Sequence, residues 1–379
     1  MRFPGMDRAL TAAEPRRGEI VGIQYLRAIA ALAVVVDHAA GMAAFPKYFG
    51  QSFYEGFFSL GAIGVNLFFI ISGFIIVVVS LKKDTTEPRV SIGDFAIRRF
   101  ARIVPIMWVA ILSYMGLRYA STGDFTLAPY LNALFLLPFG DVDPDNIWTL
   151  RHEFIFYSFF AVSFLGRRHL RWLIALWSIS PLIALFIFGP VNKDTMIRDV
   201  MWMVFNPVNL NFGVGVIIGL AWLNGLNGRS IRIEVGLASI LATAFVATMV
   251  VSMLLRSIVS NQVVLILFYC VVFGSMVLFS IVATAPVNRF FLFLGSASYS
   301  IYLFHPHFES ALLRVWSHLM PQTPIGLVIL AVSVLATGMS CIVYLYVELP
   351  LVKFAQNLLA REKSVLQTAT NASRTDGPR

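Results

Sequence analysis

Residues 20–43 read IVGIQYLRAIAALAVVVDHAAGMA. A helix that crosses the roughly 30 Å hydrocarbon core of a bilayer needs about 20 mostly apolar residues, and this run is long enough. Arg27, Asp37 and His38 are its only ionisable interruptions apart from Tyr25. Comparable runs lie at Phe57–Leu81, Ala101–Tyr119, Trp148–Leu165, Trp172–Gly189, Val200–Leu223, Ile233–Leu255, Gln262–Thr284, Phe291–Val315 and Ile325–Val347. The expected fold is therefore all-α: a polytopic transmembrane bundle of about ten spanning helices. The run Pro129–Phe139 is too short to cross and is expected to be re-entrant or interfacial.

Composition agrees. Of 379 residues, 58% are hydrophobic and 13% charged, about half the ~25% charged share of soluble domains. Mean hydropathy is +0.78. The net charge of +9 fits loops that carry Lys and Arg on one side of a membrane. No basic strip with interleaved aromatics is present, so nucleic acid is not an expected partner. Cys270 and Cys341 both lie in apolar runs, and no disulfide framework or metal-ligand spacing is available.

Residues 1–19 hold no apolar core before a small-residue cleavage site, so they read as a cytoplasmic N-terminal segment rather than a cleavable signal. The transmembrane domain is expected over 20–347. Residues 348–379 form a cytoplasmic tail, polar and disordered beyond Arg361. With a cytoplasmic N-terminus, the inner segments collect Arg16, Arg17, Lys82, Lys83, Arg89, Arg98, Arg99, Arg102, Arg167, Arg168, Arg171, Arg229, Arg232 and Arg289. The outer ones hold mainly Lys47, Arg118, Lys193, Arg198, Arg256 and Arg314. An even number of spans returns the C-terminus to the cytoplasm.

Charges within spans cost at least a few kcal/mol unless paired or wetted. Arg27 and His38 are eleven residues apart, within roughly 20° of three full turns, and so share a helix face. A snorkelling Arg and a satisfied core His are the bland alternative; the shared face favours a functional pair. Arg98, Arg99 and Arg102, in the loop that enters the third span, cluster guanidinium forks suited to phosphate, with interfacial anchoring as the alternative. Arg151, His152 and Glu153 open the Trp148 span from outside. Glu153 is either an interfacial carboxylate, a partner of Arg151, or a partner of His38. Ser298, Tyr302 and His305 recur at i, i+4, i+7 on one face. Gly64, Asn66, Ser72 and Gly73 mark close helix approach. Asn206, Asn209 and Asn211 either line a polar cavity or cap a helix interrupted beside Pro207.

Several of these stretches occur together in one family. They are Arg27 with His38, Gly64–Phe74 (GVNLFFIISGF), Arg98–Pro105 (RRFARIVP), Trp148-Thr-Leu with Glu153 and Phe156-Tyr157, Ser298–His305 (SYSIYLFH), and Glu348-Leu-Pro350. In that order, from the first span to the last, they resemble the acyltransferase family 3 membrane proteins, the sugar O-acyltransferases of bacterial exopolysaccharide, O-antigen and Nod-factor pathways. The resemblance implies transfer of an acyl group, usually acetyl, from acyl-CoA as co-substrate to a carbohydrate or lipid-linked saccharide hydroxyl, in the bacterial inner membrane. It implies no tightly bound cofactor and no metal. It makes His38 the general base, with Glu153 beside it as second catalytic group. Arg27, Arg98, Arg99 and Arg102 become the acyl-CoA ligands, and Trp148, Tyr302 and His305 acceptor contacts. Asn66 departs from the Asp common in the family, and Arg151-His152 is an uncommon filling before Glu153. The same buried charges could instead line a solute path in a secondary transporter or flippase, or belong to a non-catalytic scaffold.

Overall fold

A computed structural model describes residues 14–15, 18–53, 61, 63–83, 87–122, 126–162, 172–188, 195–259 and 261–358. Most of the expected N-terminal segment and the tail after Arg361 lie outside the described residues. So do Arg16, Arg17, Arg167, Arg168, Arg171 and Lys193.

The described elements are helices α1 (Val21–Ala43), α2 (Gly64–Ser80), α3 (Ile92–Thr122), α4 (Leu127–Leu134), α5 (Trp148–Val162) and α6 (Trp172–Phe188). They continue with α7 (Met196–Val204), α8 (Leu210–Leu223), α9 (Leu237–Ile258), α10 (Gln262–Val282), α11 (Arg289–Leu319) and α12 (Ile325–Val343). A π-helical turn, Tyr344–Glu348, extends α12. Two-residue strands β1 (Ile231–Arg232) and β2 (Ala283–Thr284) pair in parallel at one end of the bundle. The fold is otherwise all-α, as the apolar runs predict.

Six stretches of the described residues are long and apolar enough to cross a bilayer: α1, most of α3, α7 through α8, α9, α10, and α12 with its extension. The other four expected spans correspond to α2, α5, α6 and α11, which are shorter or more polar. The outer faces carry exposed apolar stripes, among them Val246, Val250 and Leu254 on α9 and Leu327, Leu330 and Val334 on α12. Soluble surfaces rarely carry such stripes, and lipid requires them. The chain is a multi-pass membrane protein.

Two elements depart from the sequence reading. The third span starts at Ile92 rather than Ala101, so Arg98, Arg99 and Arg102 lie on the helix and not in a loop before it. Ser91 Oγ accepts the Asp94 N–H at 3.1 Å, and a carboxylate in the first turn complements the positive helix end. The expected span Val200–Leu223 is broken after Val204. Pro207 disfavours helical backbone at Asn206, which is extended, and Asn206 Oδ1 accepts from the Val208 N–H at 3.0 Å.

Backbone contact at glycines fixes the site-bearing helices. A Cβ on Gly295 of α11 would lie 2.9 Å from Gln24 Cα on α1, and one on Gly64 of α2 only 2.7 Å from Ala30 O. A Cβ on Gly215 of α8 would meet Phe74 N and Gly73 Cα of α2 at 2.8 and 2.9 Å. Small residues allow this close approach where lipid offers no hydrophobic drive for association.

Pro306 interrupts α11 chemically. It has no N–H to bond the Tyr302 carbonyl. Asn146, just before α5, replaces that donor: its Nδ2 gives a 2.7 Å hydrogen bond to Tyr302 O. Asn146→Ala removes this donor from a buried carbonyl, at a cost of about 1–3 kcal/mol. Thermal unfolding of the purified variant should start at a lower temperature; an unchanged midpoint would mean the carbonyl finds another donor.

Candidate functional site

A cavity opens between α1, α2, α3, α5 and α11. Its polar lining is Arg27 from α1, Ser72 from α2, Arg99 and Arg102 from α3, Thr149, Glu153 and Tyr157 from α5, and Ser298, Tyr299 and Tyr302 from α11. Val65, Phe68, Phe69, Ile75, Ile103 and Leu150 supply apolar wall. Its free interior volume is about 120 Å³, less than the roughly 300–1,000 Å³ of ligand-sized clefts.

Three guanidinium groups concentrate at this cavity. Arg102 is exposed, while Arg99 and Arg27 are half-buried. Arg27 Nη1 donates to Gln24 Oε1 at 3.2 Å, and Gln24 Nε2 donates to Glu19 Oε1 at 2.6 Å. Arg102, Glu348, Tyr344 and Glu19 all act on Arg27 electrostatically. Ser300 Oγ donates to Glu348 Oε2 at 2.5 Å, which holds that counter-charge in place. The Arg99 guanidinium lies over the rings of Phe95 (5.8 Å) and Tyr157 (5.6 Å). Glu153 accepts from Ser72 Oγ at 2.9 Å and from the Tyr157 hydroxyl.

Further along α11 the lining changes character. The Tyr302 hydroxyl is held by Thr149 Oγ1 (2.8 Å) and donates to the Asn146 carbonyl (2.9 Å). The Tyr302 ring centroid is 6.0 Å from that of His305, and His305 stands edge-on to His38 at 4.8 Å. His305 is fully buried and His38 half-buried. Arg27 and His38 are about 16 Å apart along α1 at 1.5 Å per residue. The site thus has a cationic pole at the cavity and, beyond Tyr302 and outside the cavity lining, an imidazole pole. Such an arrangement can grip a polyanion at one end and move a proton at the other.

The sequence profile of the family described as "Acyltransferase domain" matches residues 20–346. The chain belongs to that family of acyltransferases. It is also 32% identical over 266 residues to the exopolysaccharide production protein ExoZ of Rhizobium meliloti (strain 1021), covering 65% of this chain and 76% of that one. No solved structure matches.

Several residues expected from the acyltransferase motifs meet here. Arg27, Arg99, Arg102, Glu153 and Tyr302 line one cavity, and His305 reaches His38. Others do not. Arg98 is exposed and does not line the cavity; on α3 it is Arg99 and Arg102, three residues apart, that face inward. Trp148 packs against the rings of Phe69 and His152, at 6.3 and 5.5 Å, outside the lining. Glu153 does not pair with His38; its hydrogen bonds go to Ser72 and Tyr157. Nor does it pair with Arg151, whose Nη1 and Nη2 donate to the carbonyls of Gly140 and Phe139 at 2.8 and 3.2 Å. The asparagines near Pro207 are structural. Asn209 Nδ2 donates to the Met203 and Val204 carbonyls at 3.0 Å, and Asn211 Nδ2 donates to Asn66 Oδ1 at 2.8 Å. At the position where many acyltransferases of this family carry Asp, Asn66 therefore acts as an amide acceptor. Three residues that sequence reasoning gave no role, Tyr157, Tyr299 and Glu309, turn out to stand at the site. Glu309 had one available signal: it falls one turn after His305 in an otherwise apolar run.

Proposed function

We propose that this acyltransferase moves an acyl group, acetyl above all, from acyl-CoA to a hydroxyl of an exported carbohydrate. The observation that carries the reading is the convergence of Arg27, Arg99 and Arg102 on one cavity that also holds Tyr302, whose ring lies 6.0 Å from His305 of the His38–His305 pair. Acyl-CoA enters from the cytoplasm and its phosphates meet the three guanidinium groups. Its flexible arm extends past Tyr302 toward His38. His38 takes the proton of the acceptor hydroxyl as the oxygen attacks the thioester carbonyl carbon. The C–S bond breaks, and the thiolate leaves and is protonated as free CoA. Glu153 holds Tyr157 beneath Arg99 and so orients the donor end. The relative's description as an exopolysaccharide production protein supports that acceptor class. We place the protein in the bacterial inner membrane with both termini cytoplasmic.

The test is label transfer. Purified protein in nanodiscs receives radiolabelled acetyl-CoA and host exopolysaccharide or its lipid-linked precursor. Label on carbohydrate is the expected result. Solute movement across sealed vesicles without CoA turnover would instead make the protein a transporter. In the same assay, Arg99→Ala and Arg102→Ala each remove a charged donor of a kind that contributes about 1.5–3 kcal/mol per hydrogen bond. KM for acetyl-CoA should rise roughly 10–100-fold, with kcat changing much less. A fall in kcat at unchanged KM would move these arginines from donor binding to the chemical step.

A further inference from the structure

Glu309 is the carboxylate that the site's geometry leaves unexplained. It lies on α11, one turn beyond His305, and is 0% exposed. Neither of its oxygens has a hydrogen-bond partner among the described residues. His305 is equally buried. Its Nδ1 is 2.9 Å from the Ile301 carbonyl, so it carries the proton and leaves the lone pair on Nε2, which has no partner either. Ring nitrogens of His38 and His305 and a Glu309 oxygen all lie within 4.8 Å of one another. An unpartnered carboxyl and an unpartnered ring nitrogen thus face the imidazole read as the base. In the resting protein this is costly, because a buried polar group without a partner keeps its full desolvation penalty. A structural role does not account for retaining it.

We propose that Glu309 is the counter-charge for the imidazolium that His38 becomes during transfer, with His305 positioning the pair. This rests on the reading of His38 as the base. When His38 takes the hydroxyl proton, the site gains the cation that its carboxylate lacks; when the thiolate is protonated, it returns to rest. Other charged groups stand nearby. Asp145 acts on His38, Asp37 on Glu309, and His307 on His305. Asp145 is exposed and Asp37 half-buried, so water weakens both. His307 has its Nε2 committed to the Ala110 carbonyl at 2.8 Å and to Ser113 Oγ at 3.1 Å. Glu309 is fully buried with no hydrogen-bond partner among the described residues, so a charge on it acts at low dielectric. It is a positioning residue in this scheme, since it faces His38 and not the substrate.

The experiment compares wild type, Glu309→Gln, Glu309→Asp, His305→Gln and His38→Gln in the label-transfer assay, with melting points and elemental analysis of each preparation. Glu309→Gln should lower kcat about 10²-fold, the lower end of what a positioned acid–base group contributes. KM for acetyl-CoA should stay within about threefold, because the donor's phosphates bind at the other pole. Its melting point should not fall, since an amide of nearly the same shape replaces a buried carboxyl that has no hydrogen-bond partner among the described residues. Glu309→Asp should recover part of kcat, and His305→Gln should resemble Glu309→Gln. Wild-type kcat in both Glu309→Gln and His305→Gln, with His38→Gln inactive, would overturn the proposal and leave His38 as base. An active His38→Gln would overturn both readings. A lowered melting point with kcat and KM changed together would make Glu309 structural. Stoichiometric metal in wild type that is lost in His305→Gln would assign the three groups to an ion instead.

Discussion

Replacing His38 by Gln should lower acyl transfer roughly 10²–10⁴-fold, the range contributed by a positioned general base, while the protein still inserts, purifies and binds acyl-CoA. A hydroxyl is a poor nucleophile toward a thioester until a base removes its proton in the transition state. Among the groups brought together here, His38 is a half-buried imidazole about three helical turns along α1 from Arg27. His305 faces it, but is fully buried and has Nδ1 occupied by a backbone carbonyl. Glutamine keeps much of the shape and a polar end but accepts no proton at neutral pH. The loss should therefore appear in kcat, with KM for the donor held by Arg27, Arg99 and Arg102. Rates measured under saturating acetyl-CoA, beside a binding measurement for the same variant, separate the two. Transfer within a few-fold of wild type would remove His38 from the chemistry and with it the proposed mechanism.

Much of this arrangement was legible in the sequence because it is local. Helix periodicity alone aligns Arg27 with His38, and Ser298 with Tyr302 and His305, and the structure keeps those alignments. Apolar runs give the helices because lipid leaves the backbone few other ways to satisfy its hydrogen bonds. The partners were not legible, because they depend on how far one helix slides along another. Glu153 was expected beside His38 since both sit in the outer half of their spans. Yet α5 and α11 register with Thr149 against Tyr302. From that level, four residues along α5 lead toward Tyr299, on which Glu153 acts, while three residues along α11 lead the opposite way to His305. At 1.5 Å per residue the two end up about 10 Å apart along the bundle. No periodicity contains that offset. Likewise, the Asn206–Asn211 cluster could be read two ways until the break at Pro207 assigned its amides to carbonyls. Arg98 was grouped with Arg99 and Arg102 as one cluster, and the helix that carries all three turns Arg99 and Arg102 to the cavity and Arg98 away from it.

Register also sets the second large effect. Gly215→Ala should destabilise the protein by about 1–3 kcal/mol or more, the cost of forcing volume into a packed interface, and should impair transfer although Gly215 touches no substrate. Its new Cβ would stand 2.8 Å from Phe74 N and 2.9 Å from Gly73 Cα. These are backbone atoms, which cannot turn away as a side chain could, so α2 and α8 must separate. Relief on the facing helix is unavailable, because a Cβ at Gly73 would itself come within 3.1 Å of Gly215 Cα. Moving α2 displaces Phe68, Phe69, Ser72 and Ile75 from the cavity wall. It also stretches the 2.9 Å bond from Ser72 to Glu153, and that bond helps hold the donor pole. Gly116 on α3 provides the contrast, since a Cβ there would meet nothing within 4 Å. Gly116→Ala should leave stability unchanged or raise it by up to about 1 kcal/mol, the usual helix gain of Ala over Gly. Melting curves of the two variants in the same detergent therefore test the interface and not merely the loss of a glycine. Equal midpoints would mean that α2 and α8 are not in backbone contact, and that the cavity does not owe its shape to their register.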